Sequence, residues 1–132
     1  MAVLDCPLCG RPLAALTARC PMCQGDLGPL AQLAALADEH YNRAVALARD
    51  HQWQGAAEQL AVTRALRPND VEAIVLLAKV RYRQGGRRRA EAARLLRQAL
   101  DLAPDRADVR AALDEAARPP RPPRRGRQGR RR

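Results

Sequence analysis

Leu30, Leu33, Ala37, Tyr41, Ala44 and Ala48 recur at three- and four-residue spacing, the repeat that sets one apolar stripe along a helix. This predicts a helix over 29–50, with Pro29 in the first turn, where a proline ring is tolerated. Further helical stretches follow at 54–66, 71–84, 88–102 and 106–117. Pro68-Asn69-Asp70 and Pro104-Asp105-Arg106 each close one helix and open the next: the proline stops the first, and Asp70 or Asp105 caps the bare amides of the second. Gln84-Gly85-Gly86 splits the stretch between them. Residues 1–28 break the pattern with Pro7, Gly10, Pro12, Pro21, Gly25 and Gly28. Residues 118–132, RPPRPPRRGRQGRRR, have no apolar face to bury and are expected to be disordered. The chain therefore divides into 1–28, 29–117 and 118–132, and the class is all-α with about five helices.

Composition agrees. Hydrophobic residues make up 47% of the chain, but much of that is alanine, and the aromatics are Tyr41, Trp53 and Tyr82 alone. Such a chain favours helix and buries little area per residue. The formal charge of +10 belongs mostly to the end: Arg118 to Arg132 hold eight arginines and no acids, which leaves +2 for the rest. There is no apolar run long enough to span a bilayer, and MAVLDCPLCG lacks the basic and apolar regions of a secretory signal. A cytoplasmic location is expected.

Pro68 and Pro104 lie 36 residues apart, near the ~34-residue period of a tetratricopeptide unit. The second unit resembles that family at Leu77-Ala78, Tyr82 (beside the family's aromatic position), the turn glycine Gly85, Ala92, Leu96, Ala99 and Pro104. The first resembles it at Ala44, Leu47, Trp53, Ala56, Leu60 and Pro68, with Thr63 in place of a ladder alanine and Arg43 where leucine is usual. The second turn carries about two extra residues within Arg87-Arg88-Arg89. The resemblance covers residues 37–117 as two degenerate repeats and implies antiparallel helical hairpins; a generic helical bundle is the alternative. It also implies a concave groove lined by first helices, at Tyr41, Val45 and Arg49 in one unit and Lys79, Tyr82 and Arg83 in the other. That set suits an acidic or C-terminal peptide, although Tyr41 and Tyr82 also fit plain interhelical packing. Two repeats are few for a stable array. Leu30, Leu33 and Leu36 are expected to seat the N-terminal segment at one open end, and Val109 and Leu113 to cap the other. Failing that, the chain would pair with itself or dock onto a larger assembly.

Cys6-Pro-Leu-Cys9 and Cys20-Pro-Met-Cys23 carry the clearest chemistry. Each CxxC bend aims two thiolates at one point, and two facing bends give the four-sulfur tetrahedron that Zn2+ prefers. The halves echo one another, CPLCGRPL against CPMCQGDL, with Gln24 where the first half has Gly10. This is similar to the short bacterial zinc-ribbon family. A shell filled by four cysteines makes the metal structural, one ion per chain, and a segment this short has too little core to fold without it. Iron uses a similar ligand set; disulfides or a redox dithiol would need an oxidising compartment or a βαβ setting.

An active site has little to draw on. The chain has no serine, its threonines are Thr17 and Thr63, and its histidines, His40 and His51, read as interhelical and helix-terminal. Asp70, Asp105 and Asp108 read as caps. The expectation is a non-catalytic adaptor that joins protein partners. The alternative is a nucleic-acid-associated protein that grips phosphate through Arg121, Arg124, Arg125, Arg127, Arg130, Arg131 and Arg132, with Arg87-Arg88-Arg89 in support. Anionic lipid is a third target for the same tail.

Overall fold

The structure is a computed structural model that describes residues 4–121. Among the described residues it has five helices and one two-stranded sheet. Strands β1 (Leu4–Asp5) and β2 (Pro12–Leu13) pair antiparallel, Leu4 opposite Leu13 and Asp5 opposite Pro12. Helices α1 (Gly28–Arg49), α2 (Trp53–Leu66), α3 (Val71–Gln84), α4 (Arg88–Leu102) and α5 (Ala107–Ala117) follow. The fold is thus essentially all-α, with element boundaries within a residue or two of those expected.

The local signals explain most of the boundaries. Asp70 caps α3, its carboxylate accepting the Ala73 amide at 3.2 Å. Gly85 ends that helix at φ +71°, a left-handed conformation that glycine adopts without steric cost. Asp105 does not cap. Helix α5 opens at Ala107, with Arg106 at its N-cap and no side-chain bond to the helix amides. Arg106 instead binds Asp108 at 2.9 Å and reaches Glu72 on α3. The Arg106 hydrogen bonds hold the Asp108 carboxyl down at about 2.

The helices pair in sequence order, α1 with α2, α2 with α3, α3 with α4 and α4 with α5. His40 meets Gln59 at 2.7 Å across the first hairpin, and Arg81 binds Glu91 at 3.1 Å across the second. Helix α5 lies along α3 in the same direction: Glu72 meets Arg106 and Tyr82 meets Glu115, at sequence separations of 34 and 33 residues. One core runs through the whole stack. Its largest fully buried side chains are Leu60, Ile74, Val80, Val109 and Thr63, and alanines such as Ala44, Ala56, Ala92 and Ala99 let the helices approach closely. Thr63 satisfies its hydroxyl by donating to the Gln59 carbonyl at 3.2 Å. Val109 is buried and Leu113 packs against the same core, so α5 covers the open end of the second hairpin.

The other end departs from expectation. Helix α1 has 22 residues and α2 has 14, so the start of α1 runs past its partner. Arg67, one residue beyond α2, reaches back to the Ala34 carbonyl at 2.7 Å and to Asp38 at 2.8 Å. Before Ala34 little remains to pack on. Leu30, Leu33 and Leu36 stay 42%, 50% and 41% exposed, while Ala37 and Ala44 are buried. The apolar stripe is continuous in sequence but buried only from Ala37 onward, and those leucines do not seat the N-terminal segment. That segment keeps its own small core of Cys6, Leu13, Cys20 and Leu27, apart from the helical one.

Candidate functional site

The N-terminal segment is built twice over at a spacing of 14 residues. Cys6 donates its amide to Arg11 and accepts from Gly10; Cys20 donates to Gly25 and accepts from Gln24, all between 2.7 and 3.0 Å. The β1–β2 pairing at Asp5 and Pro12 is matched by a bridge between Arg19 and Asp26. Each half buries its first cysteine and a closing leucine, Leu13 or Leu27. The CxxC spacing then turns the second cysteine back toward the first.

Gly10 and Gln24 occupy the same place in the two halves, and both are left-handed, at φ +71° and +60°. Glycine takes this conformation freely, whereas a side chain pays about 1–2 kcal/mol for it. Gln24→Gly is therefore expected to tighten metal binding up to about fivefold, because the relieved strain exceeds the added chain entropy of about 0.5–1 kcal/mol. Chelator competition measures this, and weaker binding would show that the Gln24 side-chain bond to the Pro21 carbonyl matters more.

The two bends bring Cys6, Cys9, Cys20 and Cys23 together, with all four sulfurs within 4.8 Å of one another. Cys6 and Cys23 are 3.9 Å apart, as are Cys9 and Cys20. A tetrahedral site with metal–sulfur bonds of about 2.3 Å has edges of about 3.8 Å, so these residues fit an ion at their centre. The distances are far from a disulfide, and all four thiols are free. Backbone amides point at the sulfurs, including Met22 to Cys20 at 3.4 Å. The Cys23 amide, with help from Met22 and the neighbouring thiols, lowers the Cys20 pKa to about 6. At Cys9 the Arg11 amide also favours the thiolate, but desolvation and the other three sulfurs prevail and push it up to about 11. Four sulfurs this close hold their charges together only around a cation. Leu8 and Met22, the third residues of the two CxxC bends, remain exposed.

A second feature is a groove of about 530 Å3 centred on α3, with α1, the start of α2, α4 and α5 also contributing to its lining. Lys79, Tyr82 and Arg83 line it together with Ala48, Trp53 and Glu115. Tyr41, Val45 and Arg49 lie outside its lining, although Tyr41 packs against the helical core. Burial, then the carboxylates of Glu72 and Asp70, raise the Tyr41 phenol above its usual range. The α3 face thus runs from acidic at its start to basic at Lys79 and Arg83. Tyr82 also packs on the core, donates its hydroxyl to Glu115 at 3.2 Å, and carries the Arg89 guanidinium over its ring at 4.9 Å.

The links Arg67–Asp38, Arg106–Glu72 and Tyr82–Glu115 escape sequence reasoning, because nothing local pairs charges so far apart. The one available signal is that Arg67 and Arg106 each lie within two residues of a helix-breaking proline. His51 follows the end of α1 at φ +58° and stacks on Trp53, ring centroids 5.2 Å apart. Of the tail arginines, Arg121 is described and exposed; Arg124, Arg125, Arg127, Arg130, Arg131 and Arg132 lie outside the described residues. Among the described residues no helix is long and apolar enough to cross a membrane. No protein-family model matches the chain, and no curated protein matches it.

Proposed function

We propose that this protein is a non-catalytic adaptor: a structural zinc folds the N-terminal segment as a zinc ribbon, and a tetratricopeptide-like groove holds an acidic segment of a partner protein. The observation that carries the reading is the groove itself, an apolar floor with Lys79, Tyr82 and Arg83 on one wall. Cations beside aromatic and aliphatic surface suit a peptide that mixes carboxylates with apolar side chains. The bonds between α3 and α5 support the repeat, since separations of 33 and 34 residues match a period of about 34. On this reading α5 stands where a third unit would begin.

Zinc is favoured by the donor set. Thiolates select zinc or iron, and a closed four-sulfur shell leaves no position for substrate or water. The non-catalytic part is supported by the sequence, which has no serine and places all four cysteines in the two CxxC bends.

The test uses the full chain with its metal bound and a panel of acidic C-terminal peptides. Lys79→Glu with Arg83→Glu is expected to weaken the best peptide by about tenfold or more while helix content stays unchanged. Equal binding by the variant, or no binding of any panel member to the parent, would refute the groove reading. Metal analysis finding iron in place of zinc would change the cofactor and leave the groove untouched.

A further inference from the structure

We infer that the α3–α4 turn and the root of the C-terminal tail form one surface that grips the phosphate backbone of single-stranded nucleic acid. Arg87, Arg88 and Arg89 leave the turn at Gly85-Gly86, and Arg118 and Arg121 follow α5. The fold brings these two stretches into contact, since Arg89 donates to the Arg118 carbonyl at 3.3 Å. Between them lies a recess of about 300 Å3 lined by Tyr82, Arg89, Arg118 and Arg121.

The charge there is not internally balanced. Glu91 is taken by Arg81 at 3.1 Å and Arg88 at 3.3 Å, and the Glu115 carboxylate, which also lines the recess, is a single charge against Arg87, Arg89, Arg118 and Arg121. Arg87, Arg118 and Arg121 form no ion pair among the described residues. Arginines in the first turn of α4 also oppose its dipole, so they cost stability where they stand.

Chemistry selects the ligand. Every cation in this cluster is arginine, whose planar fork matches phosphate oxygens. A repeated row of forks suits a repeated row of phosphates, and Pro119 and Pro120 line the recess beside them. A bilayer is the poorer match, because membrane docking is strengthened by apolar side chains that insert. The large exposed apolar residues lie elsewhere, at Leu4, Leu8, Met22, the leucines of early α1, Val62 and Leu102.

Fluorescence anisotropy of the full metal-loaded chain with labelled 30-nucleotide single strands of mixed sequence, RNA and DNA in separate arms, tests this between about 50 and 200 mM salt. Both strands are expected to bind, and contact of the five arginines with five phosphates would give a log–log slope of about −3.5. R87Q/R88Q is expected to flatten the slope by about 1.4, the share of two phosphates, and to weaken binding about tenfold, with circular dichroism and groove-peptide affinity unchanged. R87K/R88K is expected to keep the slope. An unaltered slope in R87Q/R88Q would overturn the joint surface, because the tail would then act alone. Binding to phosphatidylglycerol vesicles or polyglutamate, with neither nucleic acid bound, would overturn it as well.

Discussion

Stripping the metal with a chelator is expected to unfold residues 4–27 and leave the helices standing. The N-terminal core consists of Cys6, Leu13, Cys20 and Leu27, with Cys9 and Leu16 against it, and its strands are two residues long. That is too little apolar surface to offset the ordering of the chain. Binding of a structural zinc supplies on the order of 10–16 kcal/mol in finger peptides, which is in effect the folding energy of such a segment. Hydrogen exchange should therefore lose protection at the amides of Cys6, Gly10, Cys20 and Gln24 after chelation. Amides inside α2, α3 and α4 should keep theirs. Acid acts in the same direction, because protons compete with the ion for the sulfurs. Loss of helix protection together with that of the metal segment would show that the two cores fold as one.

The reverse dissociation is expected from Leu60→Ala. Leu60 is fully buried in α2, in a core where alanine fills many of the contact positions. Truncating a buried leucine costs about 2–5 kcal/mol, a large share of the roughly 5–15 kcal/mol that holds a small domain together. Thermal unfolding followed by far-ultraviolet circular dichroism should show a strongly lowered midpoint. Metal content should remain at one ion per chain. A midpoint within a degree or two of the parent would mean that neighbouring side chains collapse into the space and that the helical core is softer than its packing indicates.

Both expectations depend on a separation that the sequence shows only in part. The four cysteines are legible, since CxxC spacing is a local covalent constraint and the two halves repeat. The helices are legible for a similar reason: prolines, glycines and the Asp70 cap act within a turn or two. What depends on the length of a neighbour is not legible. Leu30 and Leu33 continue the same stripe as Ala37, and nothing in the residues says that α2 ends before it can cover them. Asp105 has the right chemistry for a cap, but Arg106 takes up Asp108 and Glu72 and the helix opens one residue later. Groove position is partly legible. Lys79, Tyr82 and Arg83 line the cavity because α3 is flanked by α1 and α5, whereas Tyr41 turns toward Glu72 and Asp70 and packs.

Leu27 closes the four-cysteine core, and α1 begins at the next residue without an intervening linker. The two bodies are therefore geared through helical phase. Each residue of α1 advances about 1.5 Å and turns about 100°, so inserting or deleting one residue in the bare stretch before Ala34 would swing Leu8 and Met22 to a different azimuth. The helical groove would stay where it is. Length along that stretch sets the bearing of one end of the molecule against the other, and the exposed leucines there can change without disturbing it.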